Sequence, residues 1–343
     1  MLQKKNILVT GANGQLGKEL QSLAVQYPQY LFLFATKEDL SVDDAEAIKN
    51  YFTNHQINFC INCAAYTAVD KAETDQAKAF SINAAAVGHL AFVCKTFNVQ
   101  LIHISTDYVF NGMAQQPYTE TDATQPMSVY GQSKLQGEEL ALQNNPATII
   151  VRTSWVYSSF GNNFVKTMLR LMQQKESINV VNDQWGCPTY AADLAHAIIS
   201  IIQKNPVAAV PQSPILPQHA IYNYCNQGIT SWYHFAMSIK EFTGSNCSIH
   251  PIPTIQYPTP AKRPAWSVLD TSLIQNTFNL HIPQWQDSLK EKKLKLTLNN
   301  TATFIKRNLT FERGEEDRVG KGEFRPQTSH RTVLDSLPSH GSS

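Results

Sequence analysis

Short apolar segments alternate with amphipathic segments along the first half of the chain. The apolar segments predict β-strands at Asn6–Thr10, Leu31–Phe34, Phe59–Ala65, Gln100–Ile104 and Thr148–Arg152. Because these strands lack polar alternation, we expect both faces of their sheet to be covered. The segments between them, of which the first runs from Gln15 to Tyr27, have helical spacing. This order predicts an α/β protein with a Rossmann-type, doubly wound parallel sheet.

The pattern becomes less regular after about residue 155. Proline-rich stretches at 206–217 and 251–264 mark loops, and a helix is predicted at Trp232–Phe242 between them. We predict a Rossmann domain over residues 1–155. Residues 156–311 are predicted to form mainly a smaller, mixed α/β substrate-binding lobe that interleaves with the sheet. Residues 312–343, charged and rich in Gly, Ser and Pro, are predicted to be a disordered tail or an expression remnant.

Composition narrows the classes of partner. The 28 Lys and Arg residues nearly balance the 27 Asp and Glu residues, so no overall field attracts nucleic acid or an anionic membrane. We find no apolar run that would span a bilayer and no signal-peptide core at the start of the chain. The six scattered cysteines suggest no disulfide framework. We interpret Cys60 and Cys63, which have C-x-x-C spacing, as inert thiols of a cytoplasmic protein.

A glycine pattern follows the first predicted strand and opens the first helix. Gly11 permits a tight turn, Gly14 lets the backbone approach a pyrophosphate, and Gly17 allows the helix to pack closely on the strand. The N–H groups and dipole of the helix N-terminus favour phosphate binding. The pattern therefore predicts a dinucleotide site, with a tight structural turn as the alternative.

The end of the second strand bears on cofactor choice. NAD-preferring enzymes usually carry an acid there for the ribose 2′-hydroxyl, and this chain has Thr36 and Lys37 instead. Both residue types can bind a 2′-phosphate, which favours NADPH over NADH. Glu38 and Asp39 lie close by, and a solvated surface role for Lys37 is the alternative.

Tyr130 and Lys134 have Y-x-x-x-K spacing, which places both on one face of a helix. A cation beside the phenol is expected to lower the tyrosine pKa, so that the tyrosine can protonate the alkoxide formed by hydride transfer. Thr106 and Asp107 end a predicted strand at the sheet edge where ligands bind, and Thr106 can hydrogen-bond a substrate oxygen. The alternatives are a surface helix pair and local turn capping.

Seven segments of the chain resemble the dTDP-4-dehydrorhamnose reductase family of extended short-chain dehydrogenases. These segments are Gly11–Gly17, Asn62–Glu73, Ser105–Phe110, Val129–Lys134, Arg152–Tyr157, Asn182–Thr189 and Pro258–Pro264. The resemblance extends from about residue 5 to about residue 300. It implies hydride transfer from NAD(P)H to the C4 carbonyl of dTDP-4-dehydro-L-rhamnose.

The resemblance also implies residue roles. Tyr130 would be the proton donor, with Lys134 as its partner and as a ligand of the nicotinamide ribose. Cofactor contacts are implied at Gly14, Gln15, Leu16, Asp39, Leu40, Ala65, Tyr66, Thr67 and Ile104, and sugar-nucleotide contacts at Thr106, Asp107 and Trp155. The chain departs from many members at Thr36, where they have an acid.

Some members use Mg²⁺ at a dimer contact, so the resemblance leaves Mg²⁺ and a homodimer open. We interpret Glu19, at one such glutamate position, as a solvated helix residue. Trp155 and Trp185 follow strand-like segments, where an indole can cover a sugar or base. Core packing is the alternative, mainly for Trp185. Lys262 and Arg263 are predicted to hold a diphosphate.

Two other functions compete with the reductase. A nucleotide-sugar epimerase or dehydratase of the same superfamily keeps its NAD bound, and the residues at Thr36, Thr106 and Asp107 argue against it. A regulatory subunit of methionine adenosyltransferase binds dinucleotide without such turnover. The intact Tyr130–Lys134 pair favours an enzyme.

Overall fold

The computed structural model describes residues 4–204 and 220–290. The first half contains β1 (Lys5–Thr10), α1 (Gln15–Ala24), β2 (Tyr30–Ala35), α2 (Ala45–Asn54), β3 (Phe59–Asn62), α3 (Val69–Ala72), α4 (Gln76–Phe80), a π-helical turn (Ser81–Ala85), α5 (Ala86–Thr96), β4 (Gln100–Thr106), α6 (Val129–Asn144) and β5 (Ile149–Thr153). The second half contains β6 (Val156–Tyr157), α7 (Phe164–Gln174), β7 (Ser177–Val181), β8 (Trp185–Gly186), β9 (Thr189–Tyr190), α8 (Ala191–Lys204), β10 (Ile221–Tyr224), β11 (Thr230–Ser231), α9 (Trp232–Thr243), β12 (Ser248–Ile252) and α10 (Ser272–Phe278).

The main sheet is parallel, with the strand order β10-β5-β4-β3-β1-β2. The chain starts at β1, moves outward to β2 and then returns to β3 on the other side of β1. The gap between the carboxyl ends of β1 and β3 is therefore the topological switch point, where ligands bind in open α/β sheets. The predicted doubly wound fold is confirmed.

Both faces of the sheet are covered, and apolar side chains of its strands pack on each face. On one face, Ile7 and Val9 of β1 pack with Leu20 of α1 and Ile198 of α8. On the other face, Leu8 packs in a cluster with residues of α2 and α5. These helices hold the sheet between them, and the loops at its carboxyl edge form a cleft.

The second half of the chain contributes to the sheet and also forms a separate apolar cluster. Strand β10 extends the sheet beside β5. The short pairs β12–β7, β11–β8 and β6–β9 lie outside it, and α7 and α9 share a cluster that includes Met168 and Phe235. The division at residue 155 stays a prediction, and the predicted tail lies outside the described residues.

One helical segment, Gln76–Thr96, is long and apolar enough to cross a membrane by length and composition. On this criterion, the expectation that no segment would qualify is wrong. Of the apolar window, 56% is buried inside the protein, and α5 packs against α6. This is the burial of a core helix.

Candidate active site

A cleft of about 810 Å³ lies along the carboxyl edge of the sheet. The loops after β1, β2, β3, β4 and β5 all contribute to its lining, together with α6 and the start of α9. It thus occupies the switch point between β1 and β3, as the topology requires.

Two glycines at the loop after β1 have no room for a side chain. A Cβ at Gly11, where φ is +63°, would lie 2.6 Å from the backbone nitrogen of Ala64. A Cβ at Gly17 would lie 2.7 Å from the Cα of Ala12, so Gly17 brings α1 against the loop below the cleft rather than lining it. Gly11, Gly14, Gln15 and Leu16 do line the cleft.

The start of α1 is suited to a phosphate. Its N-cap is Gly14, and within the described part of the chain no side chain caps this end. The first-turn N–H groups and the positive end of the helix dipole therefore face the cleft without a side-chain acceptor. The glycine cradle and this helix end together fit the pyrophosphate of a dinucleotide.

The loop after β2 differs from the sequence prediction. The backbone N–H and the hydroxyl of Thr36 both donate to the Asp39 carboxylate, at 2.9 Å and 2.8 Å. Thr36 and Asp39 satisfy each other and lie outside the cleft lining, whereas Lys37 and Leu40 line it. The expected phosphate-binding role of the Thr36 side chain is therefore corrected to a role in shaping the loop.

An acid that sequence reasoning missed lies further along the same loop. Asp43 lines the cleft and forms an ion pair with Lys78 at 2.7 Å. The hydrogen bonds from Lys78 and Ser41 lower the pKa of Asp43 to about 2. This end of the cleft therefore carries the Asp43–Lys78 ion pair as well as the Lys37 cation.

Ala65 and Thr67 line the cleft after β3, as predicted, but Tyr66 does not. The Tyr66 hydroxyl donates to Asp75 at 3.1 Å, and neither residue lines the cleft. Asn83, in the π-helical turn, accepts from the Tyr66 N–H and donates to the Tyr66 carbonyl. Tyr66 therefore anchors the loop, and Asn83 holds the loop's backbone in place.

Strand β3 is shorter than predicted. It ends at Asn62, and Cys63 leaves the sheet to line the cleft. Burial raises the pKa of the Cys63 thiol, which keeps it protonated and unreactive. All six cysteines are unpaired.

Tyr130 and Lys134 lie in the first two turns of α6, and both line the cleft. The hydroxyl of Ser128 caps the helix by accepting from the N–H of Gly131. The carboxylate of Glu73 accepts from the N–H of Val129 at 3.0 Å. These bonds fix the first turn of α6, and with it the position of Tyr130.

The electrostatics of the pair differ from the expectation. Burial raises the pKa of Tyr130, and a hydrogen bond with Thr106 offsets part of that rise. Lys134 donates to the carbonyl of Ile104 at 2.6 Å, and its Nζ lies 3.2 Å from Nε2 of His103. Burial lowers the pKa of Lys134 to about 8. The expected lowering of the tyrosine pKa is therefore wrong for this arrangement, because burial has the largest influence on it.

Ile104, Thr106 and Asp107 line the cleft at the end of β4. The Thr106 hydroxyl donates to the Asp107 carboxylate at 3.0 Å and accepts from the Tyr108 N–H at 3.2 Å. Turn capping and cleft lining are thus combined in one residue. Burial raises the pKa of Asp107 to about 7, so this carboxyl can donate a hydrogen bond below that pH.

An aromatic wall closes the other end of the cleft. Trp155 stacks on Trp232 with ring centroids 3.5 Å apart and planes 10° from parallel. Trp155 has a φ of 47°, the left-handed region that only glycine adopts without strain. A Cβ at Gly186 would lie 2.6 Å from the Trp155 ring, so that residue must be small. Sequence reasoning found Trp155 but missed Trp232.

Other predicted side chains are absent from the cleft lining. Trp185 is 37% exposed and is absent from the lining. Arg263 pairs with Asp70 at 2.6 Å and donates to the Tyr108 hydroxyl at 3.1 Å, so the expected diphosphate contact is replaced by an internal one. Lys262 is exposed.

Glu19 is not the solvated residue that the sequence suggested. It is 6% exposed, and its carboxylate accepts from the Ser158 hydroxyl at 2.7 Å. Among residues 4–204 and 220–290, no three His, Cys, Asp or Glu side chains are grouped to hold a metal. These residues do not fit a Mg²⁺ site, and no step below involves one.

The lining residues that sequence reasoning did not assign lie mostly in or beside the predicted motifs, and a smaller number come from distant segments. They include Asn13, Glu38, Ser41, Val42, Asp43, Ala64, Ile82, Tyr108, Thr153, Val156, Gly161, Asn162, Leu194 and Trp232. Those near the loops after β1, β2 and β3 could have been found by extending each motif by a few residues. Nothing in the sequence around residues 161, 194 or 232 marks them as neighbours of Tyr130.

The glycine cradle at the switch point and the Tyr130–Lys134 pair at the same edge define the short-chain dehydrogenase/reductase class of dinucleotide-binding proteins. Residues 5–297 match the family described as RmlD substrate binding domain. The chain belongs to this family, which confirms the resemblance found in the sequence.

Named relatives agree with this assignment. The dTDP-4-dehydrorhamnose reductase of Aggregatibacter actinomycetemcomitans is 39% identical over 290 residues, which are 83% of this chain and 97% of the relative. A dTDP-4-dehydrorhamnose reductase from Clostridium acetobutylicum superposes with a TM-score of 0.79 at 38% identity, covering 85% of this chain and 99% of the other. The reductase of that name from Bacillus anthracis, solved in complex with NADP, has a TM-score of 0.79 at 33% identity and covers 85% and 100%.

Proposed function

We propose that this chain reduces the C4 keto group of dTDP-4-dehydro-β-L-rhamnose to dTDP-β-L-rhamnose, with NADPH as the reductant and Tyr130 as the proton donor. The observation that carries the proposal is the convergence of Tyr130, Lys134 and Thr106 in one cleft with the glycine cradle. The names of the relatives support the choice of substrate.

The cradle and the end of α1 would hold the cofactor pyrophosphate. Bound NADPH would supply the hydride to the carbonyl carbon of the sugar. Lys37, on the loop after β2, is the cation that supports NADPH over NADH. Both the pyrophosphate and a 2′-phosphate then meet donors of this chain's own backbone and side chains.

Tyr130 supplies the proton that the reduced C4 oxygen requires. Its raised pKa keeps the phenol protonated at neutral pH, which is the state that a proton donor needs. An alkoxide is far more basic than a phenolate, so the transfer from the phenol is downhill. Thr106, which bonds the phenol, also orients the C4 oxygen.

The sugar nucleotide meets the aromatic wall and the end of β4. Trp155 and Trp232 offer flat apolar faces, and such faces suit a sugar ring or a thymine base. The Asp107 carboxyl, protonated below about pH 7, can donate to a sugar oxygen. Cytoplasmic location, a homodimer and the lack of membrane or nucleic-acid partners stay predictions.

The test supplies purified protein with dTDP-4-dehydro-L-rhamnose and NADPH, and follows cofactor oxidation and product formation. We expect one NADPH to be oxidised for each dTDP-L-rhamnose formed. An epimerase or dehydratase would convert the sugar without net oxidation of added NADPH. A pure binding protein would bind the cofactor without turnover.

Tyr130→Phe removes only the hydroxyl of the proposed donor. We expect turnover to fall by about 10²- to 10⁴-fold while NADPH affinity stays near that of the unaltered protein. The matched control is Tyr257→Phe, at a tyrosine that is 60% exposed and away from the cleft. Near-normal turnover of Tyr130→Phe would assign the proton to another group, with Asp107 the first alternative.

A further inference from the structure

A row of buried polar side chains crosses the sheet beneath the cleft. Thr10, Asn62 and His103 occupy paired register positions on the neighbouring strands β1, β3 and β4. Their exposed fractions are 0%, 2% and 0%. The row ends at Lys134 of α6, whose Nζ lies 3.2 Å from the His103 ring. Polar groups this deep must be hydrogen-bonded, so the direction of each bond is constrained.

The orientation of the Asn62 amide follows from its neighbours. Its oxygen accepts from the Thr10 hydroxyl at 2.7 Å and from the backbone N–H of Ala64 at 3.2 Å. A backbone N–H is only a donor, so this atom of Asn62 must be the oxygen. The amide nitrogen therefore faces Nδ1 of His103, at 3.0 Å.

The Asn62 amide in turn sets the tautomer of His103. Because the amide nitrogen donates, Nδ1 must accept and carries no hydrogen. A neutral imidazole then carries its hydrogen on Nε2, the nitrogen that faces Lys134. Burial holds the pKa of His103 well below its usual range, which keeps the ring neutral.

An N–H aimed at the nitrogen of Lys134 needs a lone pair there. An ammonium group has three donors and no lone pair, whereas the neutral amine has two donors and one acceptor site. One donor of the amine serves the Ile104 carbonyl at 2.6 Å, the lone pair accepts from His103, and one N–H is left for the cleft that Lys134 lines.

We propose that His103 is a positioning residue of the catalytic centre, held by Asn62 in the tautomer with hydrogen on Nε2, and that it favours the neutral amine of Lys134 over the ammonium in the free protein. This proposal rests on the proposed function only for its catalytic consequence. The hydrogen-bond arrangement belongs to the folded chain itself.

The other groups around Lys134 are accounted for. Glu138, on the same helix, would raise the lysine pKa, but its carboxylate is held by Arg152 at 2.7 Å. Cys63, beyond β3, stays a thiol because burial raises its pKa. Tyr130, one turn earlier, is kept neutral in the same way. Burial lowers the pKa of Lys134 to about 8, in the same direction as the bond from His103.

The first measurement is nuclear magnetic resonance of the protein with ¹⁵N-labelled histidine, without cofactor. At a pH above the expected Lys134 titration, we expect the His103 ring, assigned in the unaltered protein through its contacts with Asn62 and Ile104, to show a protonated Nε2 and an unprotonated Nδ1. A protonated Nδ1 would overturn the proposal even if every variant failed to fold. It would leave the proposed function untouched.

The second measurement follows Lys134 itself. In protein labelled with ¹³C at lysine Cε, we expect the Lys134 resonance to titrate near pH 8, well below the ordinary lysine pKa of about 10.4. A Lys134 resonance that titrates at the ordinary lysine pKa would overturn the proposal.

Asn62→Asp reverses the direction of the hydrogen bond between residue 62 and Nδ1 of His103, and it leaves the side-chain volume almost unchanged. A carboxylate keeps the bonds from Thr10 and Ala64 and accepts from Nδ1, so His103 must move its hydrogen to Nδ1 and offer Nε2 as an acceptor. We expect the Lys134 titration and the alkaline limb of kcat/KM to move up by about one pH unit or more. A tautomer unchanged in the folded variant would contradict the mechanism.

His250→Gln, at an exposed histidine of β12, is the matched control and should leave both titrations unchanged. The two proposals fail separately. Absence of NADPH-dependent turnover in the unaltered protein would remove the proposed function, while the ring tautomer would still stand or fall by its own spectrum.

Discussion

The two ends of the cleft are built in different ways. The dinucleotide end, which we define as residues 11–16, 37–43 and 63–67, consists of short runs directly after β1, β2 and β3, and much of what it offers is backbone. The aromatic end, defined as Thr106, Asp107, Tyr130, Trp155 and Trp232, consists of side chains from widely separated segments. A site made of backbone at strand ends needs glycine, which leaves a signature in the sequence. A site made of converging side chains leaves only separate local signals, and the sequence does not show which of them converge.

The largest expected difference between the two ends concerns buried charge. The pKa of Asp107 is raised by burial to about 7 from an ordinary value of 3.8. A raised pKa means that folding favours the protonated form. The associated stability is full below pH 3.8 and is lost as the pH rises through 7.

Asp107→Asn removes this loss. We expect the free energy of unfolding of the variant to equal that of the unaltered protein near pH 4. At pH 8 we expect it to be higher by at most about 4 kcal/mol. Urea unfolding at a series of pH values measures the difference. A stability difference that is the same at every pH would show that the pKa of Asp107 is not raised in the folded protein.

For Asp43, at the dinucleotide end, the contribution to stability depends on pH in the opposite direction. Its pKa is lowered to about 2 by the bonds from Lys78 and Ser41, so its contribution is present above pH 3.8 and is lost as the pH falls towards 2. Asp43→Asn should therefore destabilise the protein at neutral pH, in the direction opposite to Asp107→Asn.

The backbone character of the dinucleotide end can be tested with two glycines. Gly11 and Gly244 both have positive φ, +63° and +66°, but a Cβ at Gly244 meets no atom within 4 Å. Gly244→Ala should cost about 1 kcal/mol through strain alone. Gly11→Ala must also displace the backbone at Ala64, and should cost about 3 kcal/mol or more.

We expect Gly11→Ala to weaken NADPH binding by more than about tenfold, since the moved loop carries the phosphate cradle. Gly244→Ala should leave NADPH affinity unchanged. Thermal unfolding and cofactor titration together measure both effects. Equal losses of stability in the two variants would show that the contact of Gly11 with Ala64 is unimportant.

These differences explain what the sequence could and could not predict. The sheet, the cradle, the Tyr130–Lys134 pair and the Thr106–Asp107 turn follow from local pattern, because each lies in one strand–loop or helix segment. Trp232 becomes a site residue only because α9 begins beside Trp155. Thr36 was misassigned because its partner, Asp39, satisfies it locally. The His103–Lys134 contact depends on where α6 crosses β4, and spacing along the chain does not encode that.

The aromatic wall is expected to act on the sugar nucleotide alone. Trp155→Ala should weaken its binding by about 1–3 kcal/mol, the usual worth of stacking on an aromatic side chain, with NADPH affinity nearly unchanged. Because Trp232 stacks on Trp155, the double variant should lose less than the sum of the two single losses.

Trp185→Ala, at a tryptophan that is 37% exposed and outside the cleft lining, is the control for the aromatic wall. Isothermal titration with each ligand separates the outcomes. Equal weakening of both ligands, or loss of folding, would assign Trp155 to the core and erase the distinction between the two ends.

The smallest expected effect concerns cofactor choice at the dinucleotide end, where a side chain rather than the backbone must discriminate. Lys37 lines the cleft and is exposed, so its attraction for a 2′-phosphate is screened by water and salt. Lys37→Ala should weaken NADPH binding by no more than about 1 kcal/mol, roughly fivefold, and should leave NADH binding unchanged.

Lys175→Ala, at an exposed lysine beyond α7, is the control and should change neither affinity. The NADPH loss should shrink as salt is added, because the interaction is between exposed charges. A loss that is equal for NADH and NADPH would mean that Lys37 does not read the phosphate, and the fixed charge of Asp43 on the same loop would become the main influence on cofactor choice.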